Sequence, residues 1–212
     1  MVTPELSAMR REYGETGLDE QAAGTDPYVL FDRWLADAVS AGITEPNAMA
    51  LATATTDAVP SVRIVLLKSL DAAGAVFHTS YASRKGTEIA ANPRAAAVVL
   101  WHDLSRQVRL EGPVAPISAE ESDAYFESRP PGGRISAAAS PQSQVVADRA
   151  ELERRWDAVA ASPSAGTRPD TWGGLRLRVE SFEFWQGRPN RLHDRIRFVA
   201  EGDAWRRERL AP

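Results

Sequence analysis

Between Leu30 and Ala38 the apolar residues Leu30, Phe31, Trp34, Leu35 and Ala38 recur three and four positions apart, the spacing of one helical face. Asp26 can cap such a helix, Pro27 suits its first position and Gly42 suits its end. Downstream the pattern changes. Ala48–Thr55, Ser61–Leu70, Ala75–Ser80, Ala95–His102 and Gln107–Val114 read as strands with short connections, among them Asp71-Ala72-Ala73-Gly74. A short helix over about 87–91 fits before the break at Asn92-Pro93. Ser118 and Glu121 have the spacing of a capping box for a helix through Phe126, which Arg129-Pro130-Pro131-Gly132-Gly133 stops. Another helix is predicted around Ala147–Ala160, followed by a Ser-, Pro- and Gly-rich connector over 161–171. Four strands close the chain: Leu175–Val179, Phe182–Gln186, Arg191–Val199 and Ala204–Leu210.

Short, closely joined strands with inserted helices predict a mainly β fold with helical additions (α+β), an antiparallel barrel or sandwich. Residues 1–25 are polar and poorly periodic and read as a mobile arm, with a single domain over 26–212. No G-x-G-x-x-G follows a strand, so a dinucleotide site of that type has no support.

Composition narrows the function. Of 212 residues, 43% are hydrophobic and 25% charged, enough for one substantial core. The net charge of −4 gives no basic excess, so no nucleic-acid partner is expected. With no cysteine there is no disulfide, thiolate nucleophile or Cys-ligated metal. His78, His102 and His193 form no ligand pattern, and no metal is expected. The chain shows no bilayer-spanning apolar run and no signal-peptide core, so the expectation is a cytoplasmic protein without a membrane partner.

Local cation clusters remain. Arg191, His193, Arg195 and Arg197 alternate with other residues, which in a regular strand places them in one row. The plainer reading of that row is a solvated face; the aromatic run Phe182, Phe184, Trp185 before it offers a flat apolar wall beside a site. Arg63 and Lys68 have an odd separation, which puts them on opposite faces unless a bulge intervenes. Ser83-Arg84-Lys85-Gly86 opens a helix, where free N–H groups and two cations suit a phosphate. Gln107 and Arg109 share a strand face. Tyr125 and Arg129 stand four apart on a helix and project together. Gln142-Ser143 can donate to an anion. These features reach one or two phosphate sites and no further.

In order and spacing the same motifs resemble the pyridoxamine 5′-phosphate oxidase family. They are R-R-E-Y at 10–13, E-P-N-A-M at 45–49, R-I-V-L-L-K at 63–68, S-R-K-G at 83–86 and R-Q-V-R at 106–109. Y-F-E-S-R-P at 125–130, S-P-Q-S at 140–143, W-G-G at 172–174 and E-F-W-Q-G-R-P-N-R-L-H-D-R at 183–195 complete them. The resemblance implies an FMN-binding split β-barrel, antiparallel and of Greek-key type, acting as a homodimer with FMN at the subunit interface. It makes 172–212 a dimerisation and active-site segment. It implies oxidation of pyridoxamine or pyridoxine 5′-phosphate to pyridoxal 5′-phosphate, with O2 as acceptor and hydrogen peroxide as product, in vitamin B6 biosynthesis or salvage.

Carried over by motif, the FMN residues are Arg63, Ile64, Val65, Leu66, Leu67, Lys68, His78, Thr79, Arg84, Lys85, Gln107, Gln142 and Ser143, with Trp185 and Arg195 from the other subunit. Arg10, Tyr13, Lys68, Tyr125, Arg129 and Gly133 would bind substrate, and Arg191 and His193 would orient its reacting carbon. The chain departs from the family pattern at three places. Gly133 stands where a serine is common, Arg134 where a glutamine is common, and His78 where a tyrosine is common. Two alternatives remain open: a related flavin oxidase of the phenazine-pathway type, and a non-catalytic protein that binds FMN or pyridoxal phosphate.

Overall fold

The computed structural model describes residues 5–9 and 12–212. In chain order it contains α1 (Glu20–Ala23), α2 (Pro27–Ser40), β1 (Ala48–Ala54), β2 (Pro60–Leu66), β3 (Ser69–Asp71), β4 (Gly74–Ser80), α3 (Arg84–Ala91), β5 (Arg94–Trp101) and β6 (Arg106–Pro116). Then follow α4 (Ala119–Ser128), α5 (Pro131–Ala139), α6 (Arg149–Ala160), β7 (Trp172–Leu177), β8 (Ser181–Gln186), β9 (Asp194–Glu201) and β10 (Ala204–Leu210). Two compact units result, one of 1–46, 98–110 and 181–212, the other of 47–97 and 111–180.

In the first unit the strands run in the order β10-β9-β8-β6-β5. The apolar stripe of α2 does what its spacing predicts: Leu30, Phe31, Trp34 and Ala38 are buried, and the Asp26 carboxylate accepts from Tyr28 N at 2.8 Å. Trp34 meets Phe184 edge-on at 5.3 Å and Trp101 at 6.4 Å. Such aromatic packing supplies most of a small core's apolar burial. Helix α1, inside the expected arm, is capped by Asp19, whose side chain accepts from Ala22 N.

In the second unit β2 pairs with β1, while β4 lies between β3 and β7. Except at His78, β4 is buried throughout, as befits a central strand. The capping box at Ser118 and Glu121 is formed in both directions. One sequence expectation changes here: the expected long strand 61–70 breaks after Leu66. The stretch from Arg129 does stop α4, at Ser128, and Pro131 occupies a first-turn position of α5, where a missing N–H costs nothing, so the second proline of the pair opens the next helix.

Candidate functional site

A cleft of about 470 Å³ opens in the second unit. Its lining carries the cations Arg63, Lys68, Lys85 and Arg129 and no carboxylate. Ile64, Val65 and Leu66 give it a wall from β2. Leu67 is buried and is not part of that lining; it trades backbone and amide bonds with Asn47, both at 2.9 Å. That break in the strand corrects the expected opposition of Arg63 and Lys68. Since β2 ends at Leu66, two-residue alternation no longer governs Lys68, and both cations line the same cleft.

Aromatic rings form a second wall. His78 stacks on Tyr125 with centroids 3.8 Å apart and lies 5.4 Å from Trp172, nearly parallel to both. The Lys68 ammonium sits 5.5 Å from the Tyr125 ring centre, and the Arg129 guanidinium 4.8 Å from that of Trp172. Tyr125 and Arg129 thus project together, as their spacing predicts. Both nitrogens of His78, and Nη1 of Arg129, are buried without a hydrogen-bond partner. Burial first, then Lys68 and Arg129, pushes His78 down to about 4, so its ring is neutral. Burial also lowers Arg129 and Lys85, and for Lys85 the neighbouring Arg63 adds to it.

The third wall comes from α3 and the segment before α6. Lys85 donates to Thr79 Oγ1 at 3.0 Å and to Gln142 Oε1 at 3.3 Å, and Thr79 itself donates to Gln142 at 3.0 Å. Ser143 follows with a φ of +70°, a conformation that non-glycine residues adopt at a cost. Gly86 is required where it stands: a Cβ would lie 2.3 Å from the Tyr81 carbonyl oxygen. Arg84 does not join the lining; it is exposed and bonds Glu88 at 2.8 Å.

Gly133 and Arg134 resolve differently. A Cβ at Gly133 would sit 3.6 Å from Arg129 Nη2, in open van der Waals contact, so the position faces the cleft's guanidinium with no side chain to offer. Arg134 turns toward Gly166 and is absent from the cleft lining, and its Nε is buried without a partner. It adds no charge to the cleft.

The remaining site residues lie in the first unit. Tyr13 packs edge-on against Trp185 at 5.6 Å and His193 at 5.3 Å. A Cβ at Gly187 would come within 2.6 Å of the Tyr13 ring, so the glycine makes room for that contact. Gln107 is half-buried on β6. Arg10 lies outside the described residues. The expected single row of Arg191, His193, Arg195 and Arg197 is corrected. β9 begins only at Asp194, because Asn190 and Arg191 both take positive φ (56° and 62°) in a tight turn. Arg195 instead bonds Glu183 at 2.8 Å, which raises its pKa, and Arg197 bonds Glu208.

Sequence reasoning assigned no role to Trp172 or Glu88. Trp172 lines the cleft, and the W-G-G motif was its signal. Glu88 is buried with a carboxylate that accepts from Thr53, Ser61 and Arg84. Its four-residue spacing from Arg84 was legible, its burial was not.

An antiparallel sheet carrying a cation-lined, aromatic-walled cleft has the features of a split-barrel protein. Comparison with known proteins makes this specific. A family model described as pyridoxamine 5′-phosphate oxidase matches residues 35–162, and one described as the pyridoxine 5′-phosphate oxidase C-terminal dimerisation region matches 172–212. A pyridoxine/pyridoxamine 5′-phosphate oxidase of Thermosynechococcus vestitus is 53% identical over 98% of this chain and 99% of its own length. One of Pseudomonas paraeruginosa is 51% identical over the full length of both. Among solved structures, PhzG from Burkholderia lata, in complex with tetrahydrophenazine-1-carboxylic acid, superimposes with a TM-score of 0.83 at 32% identity, covering 93% of this chain and 99% of its own. The chain belongs to the pyridoxamine 5′-phosphate oxidase family.

Proposed function

We propose that this protein is an FMN-dependent oxidase that converts pyridoxine and pyridoxamine 5′-phosphates to pyridoxal 5′-phosphate. The observation that carries the reading is the cleft lined by four cations and no carboxylate, in a chain about half identical to relatives of that name. Four positive groups beside a neutral imidazole repel one another, and an anionic ligand relieves them. The partnerless Arg129 Nη1 points the same way, since a buried donor left unpaired costs roughly 1–3 kcal/mol.

The residues present fit a flavin mononucleotide. Arg63, Lys85, Thr79, Gln142 and Ser143 would supply charge and hydrogen-bond partners for its phosphate and ribityl chain, with the β2 residues Ile64 to Leu66 along the same cleft. Flavin bound there would supply the hydride-accepting chemistry, with O2 as final acceptor and hydrogen peroxide as product. The protein's own part is position and electrostatics. Lys68, Tyr125 and Arg129 hold the substrate phosphate. The apolar faces of Tyr125 and Trp172 exclude water beside it. Trp185, Arg191, His193 and Arg195 serve cofactor and substrate in a homodimer whose C-terminal region corresponds to the matched dimerisation segment. Gln107 and the Arg10–Tyr13 segment complete the assignment.

PhzG keeps a second reading in view, an oxidase of phenazine-type substrates. The whole-chain relatives at 53% and 51% identity favour the B6 phosphates over it. The test is direct. The purified protein is expected to be yellow and to form pyridoxal 5′-phosphate from pyridoxine 5′-phosphate in air. A yellow protein that makes none supports the phenazine-type or non-catalytic reading, and one that binds neither flavin nor pyridoxal 5′-phosphate overturns all three.

A further inference from the structure

His193 lies in a turn whose backbone decides which ring nitrogen is protonated. The backbone N–H of Arg188 donates to His193 Nδ1 at 3.1 Å. A peptide amide only donates, so Nδ1 must present its lone pair. In a neutral imidazole the proton then sits on Nε2. The amide is itself fixed. Gly187 N donates to Ser105 O at 2.7 Å, and the Arg188 side chain bonds Glu15 O and lies 3.5 Å from the Asp194 carboxylate. Tyr13 and Trp185, with centroids 5.3 and 4.7 Å away, hold the ring in place.

We propose that His193 serves the reaction as a hydrogen-bond donor through Nε2–H, toward a lone pair on the bound pyridine substrate, and takes no proton from it. This rests on the oxidase reading above. A base at Nε2 would need the other tautomer, whose Nδ1–H would point at the Arg188 N–H. Burial, and next Arg191, lowers the affinity of His193 for a second proton, a shift in the direction that favours the bond from Arg188 N–H to Nδ1. Arg188 is thus a positioning residue, acting through its main chain.

Two measurements on the FMN-loaded protein test the role. The first is nitrogen-15 NMR of labelled histidines near pH 8, with the His193 signals identified by their loss in His193→Gln. The expected tautomer carries its proton on Nε2; a proton on Nδ1 overturns the proposal. The second is kinetic. A glutamine amide reaches the Nε2 position and donates but cannot accept a proton there, whereas an asparagine amide stops near Nδ1. His193→Gln is expected to keep kcat within about tenfold of wild type, the scale of one perturbed hydrogen bond, with His193→Asn well below it. A general base would show a loss of roughly 10²–10⁴-fold in His193→Gln as well, and that result overturns the donor role. FMN retention and melting temperature of each variant separate misfolding from chemistry. Wild-type protein inactive on the B6 phosphates overturns the oxidase reading and this role with it. Active wild type with inactive, folded His193→Gln overturns the role alone.

Discussion

Glu88 reaches Arg63 chiefly through two hydroxyls. Thr53 Oγ1 accepts from Arg63 Nη1 at 2.6 Å and donates to Glu88 Oε2 at 2.5 Å; Ser61 Oγ likewise accepts from Arg63 Nη2 and donates to the same oxygen at 2.5 Å. The direct contact between carboxylate and guanidinium is longer, 3.5 Å. Burial lowers Arg63 despite this partner, so Glu88 offsets only part of the cost of holding a cation at the cleft.

That relay makes Glu88 a stability determinant. Glu88→Ala is expected to cost roughly 3 kcal/mol, because removing one member of a buried pair strands the other. Arg63 keeps its bonds to Leu51 O, Thr53 and Ser61, which holds the loss at the low end. Urea unfolding of the apoprotein measures it, and a change below about 0.5 kcal/mol, the size of an ordinary surface substitution, would show that the network contributes nothing.

Acid should destabilise the fold in two stages. For His78 the folded pKa, about 4, lies below the ordinary 6.5, so the unfolded chain binds more protons between those values and stability falls as pH drops through that window. For Glu88 burial works to raise the pKa, but bonds from Ser61, Thr53 and Arg84 win and bring it to about 2. Its contribution is present above about 4.5 and is lost as pH falls toward 2. His78→Phe should shrink the upper stage, leaving the part that His193 contributes, and Glu88→Gln should shrink the lower one, as read by melting temperature against pH.

Lys85 gives the cleft a charge-assisted donor. Lys85→Met should weaken FMN binding by roughly 10- to 150-fold, the equivalent of about 1.5–3 kcal/mol, while the substrate KM of flavin-saturated enzyme changes little. Arg129→Ala should show the reverse, a raised KM with flavin affinity near wild type. Fluorescence titration and steady-state kinetics separate them, and equal losses of flavin affinity in both variants would refute the division of the cleft.

Gly187→Ala places a methyl 2.6 Å from the Tyr13 ring, too close for the ring to stay where it is. The expected cost to stability is small, about 1 kcal/mol or less, with a several-fold rise in KM as Tyr13 leaves Trp185 and His193. A large loss of melting temperature with unchanged KM would make Tyr13 a packing residue only.

The local rules of the chain were legible. Helix α2, the capping box at Ser118 and Glu121, and the pairing of Tyr125 with Arg129 follow from spacing and cap chemistry, which act over a few residues. The segment 183–195 read as an aromatic strand running into cations, and that much was right. Its row was not, because positive φ at Asn190 and Arg191 delays β9 to Asp194, and no periodicity encodes such a turn. The joint placement of Arg63 and Lys68 was likewise hidden, since it depends on a strand ending at Leu66.

By itself, then, the sequence determined the elements, their caps, the absence of thiol chemistry and, through ordered motifs, the family. Tertiary structure alone decided which cations converge. It brought Lys68 beside Tyr125, buried Glu88 behind Arg63, turned Arg134 toward Gly166 and set the Arg188 amide against His193. The physical reason is range. Propensity and capping are settled by neighbours along the chain, whereas burial, orphaned donors and tautomers are settled by groups dozens of residues away or by a single unusual backbone angle.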